Sequence, residues 1–451
     1  MRSTAAIGAG LFLASDGCGK GVGAKKPDPL NIGLIGLGEQ CQRLMGDAIL
    51  KTRMDKTENI RFKAVCDIWP YRLKYRKNIL RAYKHDANAY ESYEEMLAEE
   101  KDLDAVIIAT PDWVHAPISI ACMKAGLHVY CEKEMSNSLE AAKKMVETSQ
   151  ATRKLLQIGH QRRSNPRYHA ADALIRKKRL LGKIKNVNAQ WNRSVASATV
   201  PLPSASAHVP PETLKQFGYG SMNELVNWRW FEKFGGGPLG DLGSHQIDIF
   251  NWFLGDVNPT SVLAVGGKDY FNFQHDEDVM AVYEYQGNAG VVRAFYQVLN
   301  TSGYGTYGTY SEAFMGEFGT ILLSECAGDK NKGWACMEDY VKEEPKVITN
   351  WQNCIKDGLL EGLYEVSDEV KEKSILILGG SRPLHSYPLA KKLDVAVHAP
   401  HLKNFFAAIR GKAKLNCPGE EGYRTAVAVL RANEAIQKGI KVKFKEADFK
   451  V

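Results

Sequence analysis

"NIGLIGLGEQC", residues 31–41, decides the fold. An apolar run ends in Gly36-Leu37-Gly38-Glu39-Gln40-Cys41, and a helical pattern follows around residues 42–51. A strand, a G-x-G-x-x-small turn and a helix form the signature of a dinucleotide site. Gly36 permits the tight turn. Gly38 lets backbone amides approach a pyrophosphate resting on the helix N-terminus, beside Glu39 and Gln40. The third position is usually Gly or Ala. Cys41 departs from that but is still small.

Downstream the same alternation repeats. "IRFKAVCD" ends at Asp67, "DAVIIATP" covers 104–111, "HVYCEK" covers 128–133 and "LLQIGHQ" covers 155–161, with helical stretches between them. Strands that are apolar throughout, alternating with helices, imply a parallel sheet covered on both faces. Asp67, at the end of the second strand, is placed to accept the adenosine ribose hydroxyls. A carboxylate there repels a 2′-phosphate, which favours NAD over NADP.

After residue 185 the texture changes. "KNVNAQWNRSV", "PTSVLAVGGKDYF", "VMAVYEYQGNAGVVRAFYQV" and "EAFMGEFGTILLSE" are rich in alternating, β-branched and aromatic residues. They predict a large, mostly antiparallel sheet and hence an α+β second domain. Residues 199–220 and 327–395 read as insertions or long loops. "HLKNFFAAIRG" and "EEGYRTAVAVLRANEAIQKG" read as amphipathic helices stopping at glycines. The predicted organisation is a signal-like segment and linker (1–30), a dinucleotide-binding domain (31–160) and a substrate and oligomerisation domain (161–451). Helices within 400–438 are expected to pack back on the first domain.

Ligands of open parallel sheets bind at the carboxyl ends of the strands. That edge carries Thr110, Pro111 and His115 after the third strand, and Glu132 and Lys133 after the fourth. His115 reads equally as a group beside the dinucleotide or as a surface histidine. Read alone, Glu132-Lys133-Glu134 is a surface ion-pair cluster. Downstream of a dinucleotide turn, an ammonium at a strand end instead suits stabilisation of developing alkoxide charge. "GGGPLGDLGSHQID", residues 235–248, places Asp241 and His245 four apart on one helical face. The carboxylate would orient the imidazole, which would accept a hydroxyl proton. The pair could also be a helix ion pair or half of a metal site. No third ligand stands at metal spacing, so no metal is expected.

These residues resemble the Gfo/Idh/MocA family, the relatives of glucose–fructose oxidoreductase and inositol dehydrogenase. The resemblance rests on "GLIGLGEQ", "AVCD", "IIATPDWVHAPISIACMKAGLHVYCEKEMS", "QIGHQRR" and "GGGPLGDLGSHQID". It implies a Rossmann domain followed by an α+β domain with a large open sheet, the active site in the cleft, and NAD as cofactor. The family's E-K-P lysine falls on Lys133, and its catalytic Asp and His fall on Asp241 and His245. Glu134 stands where the family has proline, which implies either a differently aimed lysine or an added acid–base group. Gln161, Trp228 and Arg229 are expected near the cofactor. Arg163, Trp191, Arg193 and Trp230 are expected to hold substrate, with Tyr219 as a further aromatic surface. Each tryptophan reads equally as core packing.

The leading expectation is hydride transfer between NAD and a ring hydroxyl of a sugar, glycoside or cyclitol. The alternatives are a redox-assisted glycosidase and a cofactor-bound sensor without turnover. A homodimer or homotetramer is expected from the resemblance.

The bulk composition fits this reading. The 451 residues exceed one core, and a net charge of +7 without a dense basic block does not point to nucleic acid. Arg2 precedes an apolar run, Ala5–Ala14, too short to span a bilayer and suited to a secretory signal. It resembles the stretch after the twin arginines of a twin-arginine signal, without the pair itself. Periplasmic export is the expectation and the cytoplasm the alternative. Cys18 follows a poor lipobox, so lipidation is a minor alternative. Of nine cysteines none forms a CxxC. Export would allow Cys326 and Cys336 to pair, although the sequence does not establish a bridge.

Overall fold

Short apolar runs need both faces covered, and the first domain supplies that cover. In a computed structural model, which describes residues 27–287, 290–303, 310–325, 333–362 and 385–451, six of them form one sheet. They are β1 (Leu30–Ile35), β2 (Ile60–Cys66), β3 (Asn88–Tyr90), β4 (Ala105–Ile108), β5 (His128–Cys131) and β6 (Leu156–Ile158). Their order is β3-β2-β1-β4-β5-β6 and every pairing is parallel. All four residues of β4 are buried, which is why the strand shows no polar alternation. Strand order reverses between β1 and β4, so a crevice opens at their carboxyl ends.

The second sheet has nine strands. They are β7 (Ile184–Asn192), β8 (Pro259–Gly267), β9 (Asp278–Gly287), β10 (Gly290–Leu299), β11 (Tyr310–Gly316), β12 (Gly319–Leu323), β13 (Trp334–Met337), β14 (His385–Pro388) and β15 (Val442–Lys443). The order is β14-β13-β12-β11-β7-β10-β9-β8-β15, antiparallel except for β7 with β10. One face buries Val279, Ala281, Tyr283 and Tyr285 of β9 beneath the helix Ser244–Phe253. The other face exposes Leu263, Val265, Met280 and Val291.

The helix Gly419–Lys438 serves both domains. Tyr423, Ala426 and Val427 pack into the first core, and Ala428, Val429, Ala432 and Ala435 into the second. Leu402, Phe405 and Phe406 of the helix Ala399–Ile409 cover the other face of the parallel sheet. The expected loop at 327–395 is corrected in its described part. It holds β13 and the helix Pro345–Lys356, whose Trp351 and Cys354 are buried one helical turn apart. The signal-like segment, Cys18 and Cys326 lie outside the described residues.

Candidate active site

β1 runs into Gly36 at φ +84°. A Cβ there would come within 2.7 Å of the Ala109 carbonyl and Thr110 Cγ2, so a larger residue would push β1 away from the β4 loop. The Asp67 carboxylate accepts from Leu37 N at 2.6 Å and Trp69 N at 2.9 Å, closing the turn from the end of β2. Buried Arg76 donates to the carbonyls of Leu37 (3.0 Å) and Gly38 (3.2 Å). The helix beginning at Glu39 has no side-chain cap, which leaves its first-turn amides to an anionic ligand. Burial pushes the Cys41 thiol up to about 12, consistent with a packing role.

The turn opens on a cleft lined by both domains. Gly36, Gly38, Glu39, Gln40 and Asp67 line one end. Thr110 and Pro111 follow from β4, Glu132 and Lys133 from β5, and Trp228 with Arg229 from the second domain. A glycine turn with free amides and a strand-end carboxylate, at one end of a cleft that continues into the second domain, together fit a dinucleotide.

The chemical end is built from both domains. The Lys133 ammonium bonds the Asp241 backbone carbonyl and lies 3.2 Å from Asp241 Oδ1. Arg193 Nη2 lies 2.8 Å from Oδ2 and Arg229 Nε 3.0 Å from Oδ1. Burial would raise the Asp241 carboxyl, but Arg229, Lys133 and Arg193 outweigh it and hold the group well below the usual carboxylate range. Asp241 sits in a π-helical turn, Leu239–Gly243, that leads into the helix carrying His245. The glycines before it are pinned at Gly235 by His275 (3.0 Å) and at Gly236 by Asn433 (2.8 Å).

The His245 ring stacks on Trp191, centroids 5.6 Å apart, and Trp191 stacks on Tyr310 at 4.7 Å. Burial, reinforced by Lys133 and Arg162, holds His245 well below its ordinary value and so in the neutral form. Its Nδ1 is buried without a partner. Burial lifts Glu132 to about 6 against the opposing charge of Lys133. Gly159 makes room for that carboxylate, because a Cβ would lie 2.8 Å from Oε2.

Several expectations change. Asp241 does not orient His245. Its oxygens go to three cations, Lys133 from the first domain and Arg193 and Arg229 from the second. Arg163 is bound to Asp248 (2.9 Å) and Glu421 (3.2 Å), so its guanidinium is a buried tie between elements and not a substrate contact. Trp230 is core, donating to Ala198 O at 2.7 Å and stacked on Phe273. Tyr219 is buried beside Trp113, with its edge on the cleft. His115 is fully buried and is no surface histidine. Its ring nitrogens face the carbonyls of Glu134 (2.7 Å) and Thr110 (2.8 Å) behind the cleft wall. Gln161 is buried with its side-chain oxygen unpartnered.

The Lys133–Glu134 peptide bond is cis although residue 134 is not proline. Glu134 is fully buried and accepts from Met135 N, so it is not an acid–base group in the cleft.

The sequence reading missed Asp112, Arg76, Arg72, His160 and His398. Arg72 stacks over Trp69 at 4.3 Å beside Asp67. His160 stands edge-on to His245 at 6.0 Å, with both ring nitrogens unpartnered. His398 meets Gln40 at 3.0 Å. His160 lay inside the quoted "QIGHQRR", but no local pattern ties it to a residue 85 positions away.

Fold and cleft define a two-domain dinucleotide-binding protein in which the second domain completes the site at the strand ends. The chain belongs to the Gfo/Idh/MocA family. The family model described as an oxidoreductase family with an NAD-binding Rossmann fold matches residues 30–160, and the GFO/IDH/MocA C-terminal domain matches residues 213–313. An inositol 2-dehydrogenase of Rubrobacter xylanophilus is 37% identical over 90 residues, covering 20% of this chain and 26% of that protein. A glycosyl hydrolase family 109 protein of Porphyromonas gingivalis is 34% identical over 134 residues, covering 29% and 27%. These alignments span about a quarter of each relative. A levoglucosan dehydrogenase structure in complex with NADH superposes with a TM-score of 0.65 at 16% identity. It covers 93% of this chain and 100% of that one, a likeness of fold.

Proposed function

We propose that the protein is an NAD-dependent oxidoreductase acting at a ring hydroxyl of a sugar, glycoside or cyclitol. The observation that carries this is the meeting of Lys133, from the end of β5, with Asp241 at the chemical end of the dinucleotide cleft. When NAD is bound at the Gly36–Gly38 turn and Asp67, its nicotinamide supplies the hydride acceptor. Asp241 fixes the Lys133 ammonium, which donates to the substrate oxygen and stabilises alkoxide character there. His245, kept neutral by burial, accepts the hydroxyl proton. Trp228, which lines the cleft, offers an aromatic face to a sugar ring. The inositol and levoglucosan dehydrogenases among the similar proteins support this substrate class.

The glycosyl hydrolase relative supports a second, redox-neutral reading. There, oxidation at a ring carbon acidifies the neighbouring C–H, elimination breaks the glycosidic bond, and the hydride returns. A panel of cyclitols, sugars and aryl glycosides, followed by reduced-nicotinamide absorbance and by aglycone release, tests both. Accumulating NADH supports dehydrogenation. Aglycone release without net NADH supports the glycosidase. Neither signal, with NADH demonstrably bound, would leave the sensor reading.

Export, suggested by the Ala5–Ala14 run, would place the protein where free NAD is scarce. A cofactor held through turnover and recycled in place suits that setting. The exposed Leu263, Val265, Met280 and Val291 support a homodimer or homotetramer formed across the open sheet, which light scattering would test.

A further inference from the structure

One carboxylate at the chemical end of the site faces three cations. Lys133, Arg193 and Arg229 all converge on Asp241, leaving two formal positive charges uncompensated. The other carboxyls nearby offset this only in part, because burial pushes Asp112 up to about 7 and Glu132 up to about 6. Desolvated charge is costly unless it is paired.

The two arginines are also under-used. Arg193 gives Asp241 only an Nη2 hydrogen, and Arg229 only its Nε hydrogen. Each guanidinium carries five N–H donors in a planar fork matched to carboxylate and phosphate oxygens. Their side chains remain 24% and 41% exposed, so the spare donors are within reach of a ligand. Arg229 lies over the Trp228 ring at 4.3 Å, which fixes the plane of its fork.

We propose that the substrate is an acidic sugar or cyclitol whose carboxylate or phosphate is bound by the free donors of Arg193 and Arg229. This deepens the oxidoreductase reading and rests on it for the reaction, although not for the binding. The anion completes the charge balance left open by Asp241 and anchors the ring for Lys133 and His245.

The test measures binding separately from turnover. The full-length protein, saturated with NADH, is titrated by calorimetry with glucose, glucuronate and glucose 6-phosphate. At least one anionic probe is expected to bind roughly tenfold or more tighter than glucose, the range of a hydrogen bond to a charged group. The two anions distinguish carboxylate from phosphate. Raising salt should weaken the anionic probe and leave glucose unaffected. Arg193→Gln should remove the preference while NADH affinity stays unchanged. Anionic probes that bind no better than glucose, or not at all, overturn the proposal. So does a loss of NADH affinity in R193Q, which would assign the arginine to the cofactor. If R193Q fails to fold, the salt dependence of the unmodified protein decides. Tight anion binding to the NADH form, with no NADH formed when the same anionic sugar is added to the NAD-loaded protein, would keep this proposal and count against the oxidoreductase reading.

Discussion

Lys133 Nζ and Asp241 Oδ1 lie 3.2 Å apart, joining the end of β5 to a π-helical turn 108 residues later. Asp241→Asn removes the shared counterion of three cations and frees the ammonium to move. Turnover is expected to fall about a hundredfold, the scale of a 1 Å misplacement. Lys133→Ala is expected to cost about 10²–10⁴ in kcat. Calorimetric NADH affinity should hold in both. Near-normal kcat in either variant would remove that residue from the chemistry.

Trp191 stacks on His245, whose burial holds it well below its ordinary value. A base must be neutral, and a histidine held below its ordinary value of 6.5 stays neutral to lower pH. The acid limb of kcat should therefore lie below about pH 6.5. Trp191→Ala hydrates the ring, and the limb should move up toward that value. An unmoved limb would show that Trp191 does not control the titration of the base.

Glu134 makes stability depend on pH. Its ordinary value is 4.5, and burial, reinforced by Asp112 and Asp248, lifts it to about 8. The native state keeps this proton after the unfolded chain has lost it. Stability that is full below about pH 4.5 is therefore lost as pH rises toward 8, at up to about 1.4 kcal/mol per pH unit. Glu134→Gln abolishes the titration. Its denaturation midpoint relative to the unmodified protein should improve steadily from pH 5 to pH 8. A pH-independent difference would show that the carboxyl is not held neutral.

Asp67→Ala strips a partner from Leu37 N and Trp69 N as well as from the adenosine end of the cleft. NAD affinity is expected to fall roughly tenfold, and the preference against NADP should narrow. Gly36→Ala combines a left-handed φ with a backbone collision at Ala109, so it should destabilise by at least about 1–3 kcal/mol. Titration with each dinucleotide and thermal melting would check the pair. Unchanged affinity for both cofactors in the Asp67 variant would place the ribose elsewhere.

The sequence by itself determined what local pattern controls. Apolar strands without alternation dictated a sheet covered on both faces, as β4 shows. Gly36 and Gly38 dictated the turn, because backbone geometry is set by the residue that adopts it. The change of texture after residue 185 dictated a second sheet. The residue types at the chemical end were legible as well, Lys133 from its place after a strand and Asp241 and His245 from their spacing in the glycine-rich segment. Tertiary structure decided which of these groups meet. Asp241 and His245 share a helical face in sequence, yet Asp241 turns to Lys133, Arg193 and Arg229. Arg163 and Trp230 carry the side chains of a sugar site and are spent on Asp248 and the Phe273 stack. Periodicity is local and reports which side of an element is buried. Charge pairing and stacking act between residues whose separation in sequence bears no relation to their distance in space.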